Sequence, residues 1–442
     1  MVTSSPRHTA GPRHTSRPRL TTGVRHTVRR LFGLAVALIA TLPAAAFTDT
    51  MTGIFDPSFR TLQTYIEGDP LSYPVIVADT PDRLIVAFDE LAEDRRYLRY
   101  NITHCDSRWQ PEGLVDSEIL DGFNESEVRD YEFSRGTTTH YVHYTITIPN
   151  DDMRPLLSGN YLLRVYDESD PDVTLLQTRF MVVEPRVSID AKYTGVTDID
   201  YNDAHQQLSI AVDTRAVGIR DPFNDLRVVI TQDGRGDNET AITHPQRVVG
   251  SQLIYEHLPQ LIFEAGNEYR RAETVSVTYP GMHVAEIRYV HPYYHFTLDT
   301  DYPRAGERYE YDETQDGAFV VREYNSDASD IEADYGIVHF VLESPRLANT
   351  EIYLDGDIVH RRFDDTSRMA YNDETGCYEK VLLLKQGAFN YRYLAVRPGD
   401  RHGHTSVIEG DHFQTSNRYM IRVYERRPGE RYDRLIGVTV IR

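Results

Sequence analysis

The sequence predicts an all-β fold, with β-sandwich domains in tandem behind a cleavable N-terminal leader. Three observations carry this expectation. After residue 47 the apolar residues fall in short alternating runs rich in Val, Ile, Tyr and Thr, the period of a half-buried strand rather than a helix. Gly, Pro, Asn and Asp interrupt these runs at roughly 8–15 residue intervals, the punctuation of sandwich folds. Tyrosine is over-used, with 30 residues in 442 against 16 Phe and one Trp. A Tyr ring suits a strand position whose body is buried and whose hydroxyl reaches water.

The leader comes first. Residues 1–30 hold seven Arg and no acid, ending at Arg29-Arg30. An apolar run follows, Leu31–Leu42, then Pro43 and the small residues Ala44-Ala45-Ala46. This is the pattern of a signal peptide over 1–46, with cleavage before Phe47. The run is about 12 residues, too short to cross a bilayer. No Cys lies near the break, so no lipid anchor is expected, and no later run reaches transmembrane length. The net charge of −21 becomes −28 once the seven leader arginines are gone. A body this acidic is unsuited to nucleic acid, which needs a positive surface, and is a poor match for anionic lipid. The two cysteines, Cys105 and Cys377, are expected to be buried thiols, small hydrophobes rather than a staple. A redox role for either stays open.

Three sandwich units fit the remainder, at 47–184, 185–331 and 332–442. The first includes Leu84–Phe88, Tyr97–Ile102 and His140–Ile148. It closes with Tyr161–Tyr166 and Leu175–Val183 before Glu184-Pro185, as many immunoglobulin-like modules finish. The second includes Leu208–Val212 and Leu226–Ile230, and the third restarts at Ile337–Leu342. No low-complexity tract separates them.

Motifs that could carry chemistry are few. His140 and His143 have a helical metal spacing, but residues three apart on a strand face opposite sides. His402-x-His404 lies among Pro398, Gly399 and Gly403 and reads as two solvated loop histidines. Asp233–Asn238 looks like a calcium loop but lacks the spaced acids and closing Glu of an EF-hand, so a polar hairpin turn is expected. His104-Cys105-Asp106 could open a nucleophile pair, yet adjacent strand residues point apart; Trp109 is expected to cover the edge of the first core. No G-x-S-x-G, H-E-x-x-H, P-loop or Rossmann glycine pattern is present. No catalytic residue, cofactor or metal ligand is therefore assigned, and no enzyme is expected. The acidic stretch Asp327–Asp334 reads as a solvated connector, or else as a contact for a basic partner.

Several stretches taken in order resemble one family. They are Leu84–Leu91, Tyr97–Asp106, Asp121-Gly122-Phe123, Tyr141–Tyr144 and Ser158–Tyr161 in the first unit, then Thr231-Gln232 and Phe263–Arg270 in the second. The third supplies Leu384–Tyr393, Ile408–Tyr419, Val423–Gly429 and Tyr432–Gly437. Together these resemble the periplasmic plug proteins of the type IX secretion system; Ala272-Glu273 departs from the pattern. The resemblance implies a non-enzymatic periplasmic protein, a monomer outside the complex. It would bind the very large translocon barrel of the outer membrane and seal its periplasmic mouth. Lys385, Gln386, Gly387, Glu409 and Gly410, in turns of densest likeness, are the expected partner-binding residues. The third unit also resembles early-set immunoglobulin-like sandwiches of the starch-binding type, through Ile352–Asp357, Met369–Asn372 and Gly376–Leu384. That implies a second reading, a periplasmic or surface glycan-binding protein. The stacking Trp of such modules is replaced here by Val359–Phe363.

Overall fold

In the computed structural model, the strand Leu84–Glu90 is buried along its whole length, which an ordinary sandwich strand is not. Leu84, Val86 and Phe88 point into the first core. Ile85, Ala87 and Asp89 point the other way and are still buried, because a second packed layer covers that face. The model describes residues 49–442. The leader expected over 1–46, and its cleavage before Phe47, lie outside the described residues.

The first core is a two-sheet sandwich. One sheet runs in the order Gly53–Ile54, Asp170–Val183, Gly159–Asp167, Leu98–Cys105 and Ser126–Glu127, with Val75–Val77 added parallel to Asp170–Val183. The other runs Phe59–Ile66, Leu84–Glu90, Val142–Ile148 and Asp130–Phe133. Val142, Tyr144, Ile146 and Ile148 are buried and the residues between them half-buried, the alternation expected from sequence.

The second core faces Ser188–Thr194, His205–Asp213, Gln252–Tyr255 and Arg247–Val249 against Thr240–Ile242, Leu226–Gln232, Tyr419–Glu425 and Arg434–Ile441. Ile262–Glu264 also pairs with His205–Asp213. Two of its strands thus come from the last two dozen residues of the chain. The third core packs Arg270–Glu273, Gly387–Val396, Phe319–Val321 and Glu351–Asp355 on a second sheet. That sheet is Val284–Val290, Tyr293–Leu298, Tyr335–Glu343, Cys377–Lys385 and Ala370–Asn372.

The all-β sandwich architecture stands, but the expected boundary between 185–331 and 332–442 needs correction. Tyr293–Leu298 pairs in parallel with Tyr335–Glu343 across it, so position 331/332 lies inside the third core. The third core is inserted into the second: the chain leaves the second core after Glu264 and returns at Tyr419. Local alternation marks each strand, but nothing local says which distant strand will lie beside it. Cys105 and Cys377 are both free and buried, and burial pushes the Cys105 thiol up to about 12.

Candidate functional site

The distinctive chemistry of the molecule is at the seams between the three cores. On the seam of the first and third, Asp89 is fully buried and takes three partners. Lys385 Nζ and the Tyr335 hydroxyl each donate to Oδ2 at 2.6 Å, and His143 Nδ1 lies 2.7 Å from Oδ1. Burial pushes the Asp89 carboxyl up, but the charge of Lys385 and the hydrogen bond from His143 outweigh it and hold it below its ordinary value. The Lys385 ammonium also lies 4.1 Å from the centre of the Tyr141 ring. Nearby, the backbone N–H groups of Thr138 and Thr139 donate to Asp334 at 2.8 and 3.0 Å. The stretch Asp327–Asp334 is therefore a docking element for the first sandwich, with a short helix at Ser329–Glu332, rather than a solvated connector.

The third core and its seam with the second hold two more networks, the first inside the third core and the second across the seam. Glu409 is fully buried; its Oε2 accepts from Arg270 at 3.0 Å and Arg304 at 2.6 Å, and its Oε1 accepts from the backbone N–H of Tyr393 at 2.9 Å. Burial raises its carboxyl, and the two guanidinium charges more than reverse that. Asp301 accepts from Arg270, Tyr391 and Tyr393 at 2.6, 2.8 and 2.7 Å. In the second network Arg392 joins Asp355 at 3.0 Å to Asp233 at 3.2 Å, and Arg235 pairs with Asp237. The acids of the 233–238 loop are thus engaged by buried arginines, not arranged around a calcium-sized gap.

Where the three cores meet lies a cavity of about 260 Å³ lined by Met51, Tyr73, Trp109, Asp233, Asp316 and Arg418 among others. Burial, with Asp233 adding to it, pushes the Asp316 carboxyl up to about 6. Trp109 does more than cover an edge: it packs with Met181 and Val183 of the first sandwich against Val229, Met420, Tyr424 and Leu435 of the second core.

All five expected partner-binding residues are interior. Lys385 and Glu409 are engaged as above. Gln386 accepts from the Asp334 N–H at 2.8 Å and donates to Thr274 O at 3.3 Å. A Cβ on Gly387 would stand 2.3 Å from the carbonyl oxygen of Val320, so glycine lets Phe319–Val321 pair there. Gly410 has φ +80°, and a Cβ there would press on Ala305. The correction has a physical reason: these turns stand out because packing and buried charge constrain them, which is not a sign of exposure.

The other histidine motifs fall out differently, and the strand bearing His143 begins only at Val142. His143 turns inward to Asp89, while His140 is exposed beside Glu93 at 3.1 Å. His104 is buried, with Nδ1 2.7 Å from Glu112, and the Cys105 thiol donates instead to Thr103 O at 3.7 Å. His402 and His404 differ from expectation. Each side chain is about one-third exposed, and both meet Glu264 from a strand 140 residues away in sequence from His404. A spacing of two between histidines was legible, but their carboxylate partner was not.

Residues 59–184 match the model of the type 9 secretion system plug protein first domain. A solved structure of a hypothetical protein from Parabacteroides merdae is 42% identical, covering 88% of this chain and 98% of its own, with a TM-score of 0.87. The alpha-2-macroglobulin of Escherichia coli, in a structure spanning domains NIE-MG1, aligns at 10% identity over 44% of this chain and 97% of its own; its TM-score of 0.15 carries no weight. No curated protein matches significantly. Among the described residues no helix is long and apolar enough to cross a membrane. Residues 59–184 thus carry the first domain of the type IX secretion system plug proteins, and the Parabacteroides merdae structure extends the likeness in fold over all three cores.

Proposed function

We propose that this protein is a non-enzymatic periplasmic plug. It binds the periplasmic mouth of the type IX translocon barrel in the outer membrane and seals it while no substrate carrier occupies the complex. The observation that carries the reading is the match of residues 59–184 to the plug first domain. The architecture supports it. A stopper must resist deformation, and here the third core is locked to the other two by buried ion pairs at Asp89–Lys385 and Asp233–Arg392 rather than joined to them by flexible linkers. The alternative, glycan binding by the third core, needs exposed rings to stack on sugar. At Val359–Phe363, Val359 is buried, Arg361 bonds to Tyr269, and Phe363 packs 5.3 Å from Tyr353.

The test is capture of the protein from solubilised outer membranes, with and without the substrate carrier, and permeability of a deletion strain to large antibiotics. The barrel should co-purify, best when the carrier is missing, and the deletion should leak while secretion continues. Normal permeability together with no barrel in the capture would overturn the reading.

A further inference from the structure

We propose that Glu264, His402 and His404 form a divalent-metal site, suited to zinc, that clasps the second core to the third. Glu264 ends a strand paired to His205–Asp213 in the second core. His404 is held to the third core by reciprocal backbone hydrogen bonds with Ala395 at 2.9 and 3.0 Å. A metal bound by all three would therefore cross the seam.

The donor set is two imidazoles and one carboxylate, with ligand atoms all within 4.8 Å of one another. Zinc takes such His₂Glu sets, with bonds of about 2.0–2.2 Å and a fourth position left for water. Tetrahedral ligands at those lengths stand about 3.3 Å apart, so side-chain movement has to draw the group in by at most about 1.5 Å. Glu264 Oε2 is buried without a hydrogen-bond partner, while Oε1 lies 2.7 Å from His404 Nδ1. One carboxylate oxygen is thus already free to ligate.

The second nitrogen of each ring makes the case more specific. His402 turns Nε2 toward Glu264 at 3.6 Å and Nδ1 toward Asp237 at 3.6 Å. His404 turns Nδ1 toward Glu264 and Nε2 toward Asp400 at 3.5 Å. Metal-bound histidines characteristically donate their other N–H to a carboxylate, which sets the tautomer and the ring orientation. Both rings face such a carboxylate here, close enough to close the bond by a small side-chain shift. Asp237 is itself anchored by Arg235 and by the backbone N–H of Gly403 at 2.9 Å. Gly403 brings the rings together: a Cβ at that position would come within 2.7 Å of Phe363 and 3.0 Å of Leu394, so only glycine lets the chain bend there. The ring centres then lie 4.7 Å apart at nearly a right angle. On binding, the His404–Glu264 hydrogen bond gives way, and any proton on a ligating nitrogen passes to water.

The experiment is zinc titration of tag-free protein, stripped with chelator, by calorimetry and thermal melting. The wild type should take one zinc per chain at this site and melt at a higher temperature with zinc than without. H404A and E264Q should each bind at least tenfold more weakly and lose the thermal gain. H295A, which removes one ring of the separate His295–His339 pair at 2.8 Å, should behave as wild type. If H404A does not fold, E264Q and H402N carry the comparison. No zinc bound by the wild type, or equal binding by wild type, H404A and E264Q, would overturn the site; neither outcome bears on the plug reading.

Discussion

The first sandwich meets the second core through Trp109, Met181 and Val183 against Val229, Met420, Tyr424 and Leu435, an apolar seam. It meets the third through Asp89 and the backbone N–H groups of Thr138 and Thr139 against Tyr335, Lys385 and Asp334, a polar one. Apolar contact is non-directional and stabilises in proportion to area. A buried ion pair gives little net stability, since desolvation consumes most of the attraction, but its geometry tolerates one arrangement. One seam holds by burial, and the other sets the angle at which the third core sits.

The largest effect should come from breaking the polar seam on one side. Lys385→Met leaves Asp89 in the interior without its ammonium partner, held only by Tyr335 and His143, and should cost about 3–5 kcal/mol in chemical denaturation. Adding Asp89→Asn should return most of that loss. A double variant as unstable as the single one would mean that the pair is not coupled, and the contrast between seams would fail.

Next comes the apolar seam. Met181→Ala should cost about 3 kcal/mol by cavity formation. No partner substitution across the seam should rescue it through charge. Its cost should be independent of pH between about 7 and 8, above the range in which Asp316, which lines the same cavity, titrates. A strong pH dependence would show that this seam also relies on buried charge.

The smallest effect concerns the cavity where both seams end. Folded Asp316 holds its proton more tightly than the unfolded chain, at about 6 against an ordinary 3.8. Folded protein therefore binds more protons in that window, and stability falls as pH rises from 3.8 through 6. Asp316→Asn should gain about 1–2 kcal/mol at pH 7.5, and the gain should vanish near pH 4. Melting curves at the two pH values check it. Unchanged stability at pH 7.5 would mean that Arg418 and Arg442, both 3.6 Å away, already neutralise the group.

The sequence by itself determined the strands, the all-β class and the resemblance to the plug family, because alternation, turn residues and short ordered motifs are local properties. It also separated His104 from Cys105, since strand geometry fixes which side chains can meet; His140 lies apart from His143 because it precedes the strand Val142–Ile148. It did not reveal that the third core is inserted in the second, nor that Lys385 and Glu409 lie inside. Those facts depend on which segments, more than a hundred residues apart, share a sheet or a seam. The meeting of Glu264 with His402 and His404 is of the same kind. The two histidines advertise themselves through spacing, but their carboxylate arrives on another core, and only tertiary packing brings it within reach.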